Sequence, residues 1–88
     1  MGNAVKLGDS DTGHGSFPPT PVTAGSSTVK ADGLPMARQG DPLAPHGHER
    51  RISGGSASVF IEGQPAARTG DAVSCGGVMV GGGSVNIG

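Results

Sequence analysis

Gly33-Leu34-Pro35-Met36-Ala37-Arg38-Gln39-Gly40-Asp41 returns thirty positions later as Gly63-Gln64-Pro65-Ala66-Ala67-Arg68-Thr69-Gly70-Asp71. A worn copy, Ala4-Val5-Lys6-Leu7-Gly8-Asp9, opens the chain. A phrase repeated in register marks a supersecondary unit that cannot bury its apolar face alone and must stack on its neighbours. The copies divide a single domain spanning 1–88 into stretches of about 1–21, 22–50 and 51–80, with 81–88 as a closing strand.

The residues after each Gly-Asp carry the chemistry. His14 stands five positions after Asp9, His46 five after Asp41 and Cys75 four after Asp71, while His48 lies two beyond His46. All the histidines and the one cysteine therefore share a phase of the repeat. Imidazole nitrogen and thiolate sulfur are ligands that suit zinc, which takes four at tetrahedral corners when the site is structural. The set predicts one structural ion, zinc rather than iron or nickel because the donors mix N and S. A small zinc hydrolase would need three protein ligands, an open position and a nearby base, for which only Glu49 offers itself. Four ligands leave no opening, so no enzymatic activity is expected. A metal-storage peptide would hold more than one ion per chain.

Composition makes such a staple necessary. With 88 residues, no Trp or Tyr and two Phe, the core must be thin. Small scaffolds of this kind rely on a disulfide, a metal or a partner, and a single cysteine excludes an internal disulfide. The 18 Gly and 7 Pro reach a level often seen in disordered chains, but the net charge of -1 and the recurring Val and Ile argue for order. The glycines do not recur at every third position, which removes a collagen reading. Six basic residues are scattered among seven acids, so no stripe for nucleic acid exists, and Arg50-Arg51 reads as a solvated pair. The start lacks the apolar run of a secretory signal and no stretch is long enough to span a bilayer. The expected place of synthesis is the cytoplasm, with export depending on another machine.

Gly or Pro interrupts every segment long enough for a helix, so the predicted class is all-β without significant helix. Residues 22–32 read as extended, with Val29 and Ala31 on one side and a turn at Gly33-Leu34-Pro35. Ser58-Val59-Phe60-Ile61 is the strongest strand signal, followed by Gly63-Gln64-Pro65. Residues 9–21 read as a loop in which Gly13-His14-Gly15 bends freely and Phe17, held extended by Pro18, covers a small core from the loop side. The chain begins and stops mid-repeat, so residues 84–88 are expected to pair with 4–8, closing three hairpins about a pseudo-threefold axis with few free edges. The run 76–83 fits either convergence on that axis or a flexible loop. Within the repeated phrase, Pro35 and Pro65 fix φ at the turn, Ala37 and Ala67 allow close packing, and Gly40 and Gly70 permit the bend. Arg38 and Arg68 pair either with Asp41 and Asp71 or with Asp32 and Glu62.

Pro65-Ala66-Ala67-Arg68 is the motif that names the PAAR-repeat family, and Pro35-Met36-Ala37-Arg38 is its variant. The chain resembles a minimal PAAR domain along essentially its whole length, with Asn3-Ala4-Val5-Lys6 departing from the pattern in the first copy. The resemblance implies a short conical arrangement of β-hairpins that holds zinc near its vertex through three His and one Cys, here His14, His46, His48 and Cys75. It implies a structural tip that caps the trimeric valine-glycine repeat spike of a type VI secretion system, one copy per trimer, and aids membrane puncture and effector delivery. Effectors or adaptors would bind noncovalently, and the protein would end outside the cell or in a target cell. The tip of a phage or pyocin contractile tail is the near alternative.

Overall fold

The computed structural model describes residues 2–15, 17–45, 49–74 and 76–87. Its described residues are all-β: short antiparallel pairs, no helical segment, and hence no helix long and apolar enough to cross a membrane. Strand β1 (Gly2–Asn3) pairs with β8 (Asn86–Ile87), β2 (Lys30–Ala31) with β3 (Leu34–Pro35), β4 (Pro42–Leu43) with β5 (Arg50–Arg51), and β6 (Phe60–Ile61) with β7 (Gln64–Pro65).

The turn of the β2–β3 hairpin is Asp32-Gly33, one position earlier than the sequence suggests, and Leu34 and Pro35 already belong to a strand. Proline is acceptable there because β3 is an edge that needs no donor at that position. Asp32 and Gly33 have φ of 51° and 81°, and Glu62 and Gly63 have 53° and 84°, so both hairpins use the two-residue left-handed turn that matches strand twist. A non-glycine residue in that region costs about 1–2 kcal/mol. The two acids offset part of it by reaching neighbouring repeats: Glu62 accepts from Thr28 Oγ1 and Arg38 Nη1, and Asp32 from Ser84 N and Oγ.

The ends of the chain do meet, in a shifted register. Gly2 faces Ile87, Asn3 faces Asn86, and Ala4 N donates to Val85 O at 2.7 Å. Beyond that bond the segment 4–8 does not pair with 84–88, because it is committed to the other repeats through bridges of Ala4 with Arg68 and Lys6 with Met36. The third bridge of the set, Arg38 with Ala66, completes a cycle.

At the centre of that cycle the backbone closes on itself. Ala37 N donates to Val5 O (2.8 Å), Ala67 N to Ala37 O (3.0 Å) and Val5 N to Ala67 O (3.1 Å). One ring further out, Leu7 N reaches Pro35 O, Gln39 N reaches Pro65 O and Thr69 N reaches Asn3 O, a second cycle whose donors point in the opposite sense. These rings are the pseudo-threefold axis. The close approach requires small side chains, and Ala37 and Ala67 are fully buried.

Two apolar clusters lie on this axis. One joins Val5, Ala37 and Ala67 with Val22, Ile52 and Met79 and with Leu43 and Val73. The other joins Ala4, Met36 and Ala66 with Ala31 and Ile61, and Val59, Val85 and Ile87 pack against it. Each cluster draws on all three repeats, so each is centred on the axis and the two are stacked along it. The hairpin turns mark one end and the segments after each Gly-Asp mark the other.

Glycine serves the packing in a second way. A Cβ on Gly55 would lie 2.6 Å from Pro65 Cβ, whereas one on Gly63 would meet nothing within 4 Å. We expect Gly63→Ala to cost about 1–2 kcal/mol through its positive φ alone. Gly55→Ala, which forces the backbone away from the motif proline, should cost about 3 kcal/mol. Urea denaturation of the two variants measures the difference, and equal losses would mean that the Gly55 contact yields without strain.

Candidate functional site

Three loops follow the three Gly-Asp pairs and are closed at their roots by Ser10 with Pro21, Pro42 with Arg51, and Ala72 with Val78. The roots are joined in turn by Asp11 with Met79, Val22 with Leu43, and Ile52 with Val73. Residues 12–15 and 17–19, 44–45 with 49, and 74 with 76–77 therefore lie at the same end of the axis, opposite the hairpin turns. Val78 and Met79 are thus tied into the fold and Gly81 is buried, so this part of the glycine-rich run is packed backbone.

His14 is half-buried on the first loop. It and Phe17 exchange backbone hydrogen bonds of 3.1 and 2.8 Å, and their rings lie 5.2 Å apart. Phe17 thus covers the imidazole and leaves the apolar clusters to other side chains. Gly76 also approaches the imidazole: a Cβ there would sit 3.1 Å from His14 Cγ, and at a φ of 116° glycine is what lets this backbone lie against the ring. His46, His48 and Cys75 lie outside the described residues. Among the described residues no three His, Cys, Asp or Glu side chains come together as a ligand set.

The motif arginines find the nearer acids. Asp41 accepts from Arg38 N, Nε and Nη2 at 2.8, 3.0 and 2.9 Å, and Asp71 accepts from Arg68 N, Nε and Nη2 at 2.6, 3.1 and 2.9 Å. Lys6 makes the corresponding contacts to Asp9 through N and Nζ, both 3.0 Å. Asp41 N and Asp71 N return hydrogen bonds to Arg38 O and Arg68 O, which makes each phrase a closed turn. Gly40 and Gly70, at φ of 97° and 96°, take the position in it that L side chains resist. Arg38 also bonds Glu62, while Asp32 takes the Ser84 loop instead of an arginine.

A buried charge network lies where these loops begin. Arg50 and Asp11 form an ion pair with both side chains fully buried, and Arg50 Nη1 also donates to Thr20 Oγ1. Thr20 N donates to Asp11 Oδ1 at 3.0 Å, and the amide of Gly13 donates to the same carboxylate. Burial pushes the Asp11 carboxyl up, but the hydrogen bonds from Arg50, Thr20 and Gly13 and the charge of Arg50 outweigh it and hold the group below its ordinary value near 3.8. A depressed folded-state value means that the pair's contribution is complete above the ordinary carboxylate range and is lost as pH falls through the lower, folded value.

Arg50 is thus no solvated partner of Arg51: only Arg51 is exposed, its Nη1 donating to Gly40 O. Sequence reasoning missed this network, yet a signal is present. The second residue after each Gly-Asp is Asp11, Leu43 or Val73, so an acid occupies an otherwise apolar column.

A single chain that folds three hairpins and three returning loops about one axis, its polar groups engaged in turns and ties, is a pseudo-threefold β-repeat protein. The chain belongs to the PAAR motif family, whose model matches residues 12–81. That family is structural, not catalytic. No curated protein matches the chain.

The three copies of the turn supply their own control. Because Lys6 fills the first copy, Arg68→Lys should lower stability by less than about 1 kcal/mol. Asp71→Ala, which strips the buried acceptor from Arg68 N, should cost about 1–3 kcal/mol. Comparable losses in urea denaturation would show that the guanidinium fork, not the acceptor, holds the turn.

Proposed function

We propose that this protein is the pointed tip of a type VI secretion spike, seated as one copy on the blunt end of the trimeric valine-glycine repeat protein. The ring of hydrogen bonds among Val5, Ala37 and Ala67 carries the reading, since it gives one chain an end that repeats three times. A trimer presents three identical surfaces around its axis, and a heterologous partner with matching rotation engages all of them at once.

The hairpin end is suited to that contact. Val29, Val59 and Val85 occupy equivalent places, their carbonyls accepting from Met36, Ala66 and Ala4. Val29 is 37% exposed, Leu34 beside it 40%, and Val59, Val85 and Ile87 are only partly buried, leaving the second apolar cluster open at this end. Apolar surface at the core of a patch with a polar rim is what protein interfaces use.

At the opposite end, His14, His46, His48 and Cys75 would hold one zinc ion. The fit rests on the donor chemistry and on Gly76, the residue after Cys75, whose missing side chain brings that segment against the His14 ring. Bound there, zinc would cross-link the three loops, and structural zinc contributes on the order of 10 kcal/mol to small folds. The domain boundaries 1–88 and the repeat copies at about 1–21, 22–50 and 51–80 follow the same reading. The tip would taper to a cone at the metal end and concentrate sheath force on a small area of membrane. It would travel from the cytoplasm to the target with effectors or adaptors held noncovalently.

The purified protein should contain one equivalent of zinc. Cys75→Ser and His46→Ala should both lose it together with much of the thermal stability. Acidification below about pH 6.5 should release the metal, since protons compete for imidazole. Metal removal without loss of Tm would sink the structural-zinc reading.

Mixed with the purified spike trimer, the protein should bind at one copy per three spike chains by light scattering, and Val59→Asp should abolish the complex. Three copies per trimer, or none, would overturn the capping role.

A further inference from the structure

We propose that Asp11 and Arg50 are positioning residues for the metal centre, a buried strap that sets the three ligand-bearing loops relative to one another. The inference rests on the zinc reading above and adds what the fold does to prepare the site.

The strap joins different repeats. Asp11 and Thr20 stand at the two ends of the loop that contains His14, and Arg50 is in β5, directly after the segment with His46, His48 and Glu49. Asp11 and Arg50 are 39 positions apart in sequence. The third loop meets the same carboxylate: a Cβ on Gly77 would lie 3.0 Å from Asp11 Oδ2 and 2.7 Å from Gly13 O. Glycine at 77 is what allows that loop to rest on the strap. Thr12 N and Val78 O, hydrogen-bonded at 2.9 Å, hold the first and third loops together beside it. One carboxylate is thus bonded by the first loop and by Arg50 at the end of the second, with Gly77 of the third packed close to it, and the arginine is locked to it without exposure to water.

A buried ion pair is a poor device for stability. The cost of desolvating both charges largely cancels their attraction, and apolar replacements of the same volume are often as stable or more so. This chain already contains the apolar alternative, because the positions equivalent to Asp11 carry Leu43 and Val73, both buried in the first cluster. The departure from the repeat occurs on one side of the axis only, at the roots of the loops. What an ion pair offers that Leu or Val does not is direction: the fixed fork of Arg50 meets Asp11 and Thr20 in one geometry, whereas apolar side chains tolerate sliding. Groups that orient metal ligands from behind typically change metal affinity 10- to 100-fold when replaced.

The test compares wild type with the double variant Asp11→Val/Arg50→Met, which roughly keeps the volume and gives position 11 the apolar character of Leu43 and Val73. Three quantities are read: Tm of the metal-free protein, zinc affinity by chelator competition, and the visible absorption of the cobalt-substituted form, which reports ligand geometry. The expected result is a metal-free Tm equal to or above wild type, zinc affinity at least tenfold weaker, and a changed cobalt spectrum at unchanged one-to-one stoichiometry. Thr20→Val, a milder change that leaves the ion pair in place, should weaken zinc several-fold with little change in metal-free Tm, and it keeps the test decisive should the double variant fail to fold. Variants that match wild type in zinc affinity and cobalt spectrum would overturn the positioning role while leaving the zinc reading intact. Wild-type protein that takes up no zinc would overturn both.

Discussion

Everything in this molecule depends on three backbone hydrogen bonds that run in a circle between Val5, Ala37 and Ala67. Three chain segments that bond around one axis leave little room for side chains, and two of the three ring positions are the motif alanines, with Val5 filling the third. Once the segments are fixed at the centre, the geometry outward follows. The residues before them turn back as hairpins at one end and those after them leave as loops at the other. The arginine-aspartate turn closes the corner between the two. Its acid satisfies the main-chain amide of the motif arginine or lysine in all three copies.

The division of the axis into two ends explains how so small a core can serve two purposes. The hairpin end keeps an apolar cluster partly open, which is a cost in isolation and an asset against a partner. The loop end buries its cluster below a charge network and carries the imidazole of His14, which both Phe17 and Gly76 approach. In the proposed tip, a chain with little apolar mass would gain from a metal cross-link at the end away from the spike, and this division is the physical content of that proposal.

Departures from threefold symmetry are as informative as the symmetry. The turn acids Asp32 and Glu62 tie different neighbours, one taking the Ser84 loop and the other Thr28 and Arg38. Phe60, 58% exposed, occupies a place held by Lys30 and Asn86 in the other hairpins. The largest departure is the Asp11–Arg50 pair, which replaces an apolar contact at the point where the loops converge. Three identical loops could not supply the mixed set of His and Cys donors that the proposed zinc site calls for, and on that reading the asymmetry would begin in the ligands and extend inward to the groups that hold their loops.

By itself the sequence determined the repeat, the all-β class, the family through Pro65-Ala66-Ala67-Arg68, and the pairing of the chain ends, because these follow from spacing and from residues with narrow backbone preferences. Gly-Asp and Asp-Gly each admit few conformations, and a phrase written three times must be used three times. Its reading of the hairpin turn erred by one position and its pairing of residues 4–8 with 84–88 was misaligned, since local pattern does not reveal which strands are already engaged with another repeat. Only the tertiary structure decided that Arg50 is buried while Arg51 is exposed, that each motif arginine takes the acid three residues on, and that Asp11 is the point where three loops meet. Those outcomes depend on contacts between residues tens of positions apart, and a charge has no preferred neighbour until the fold has removed it from water.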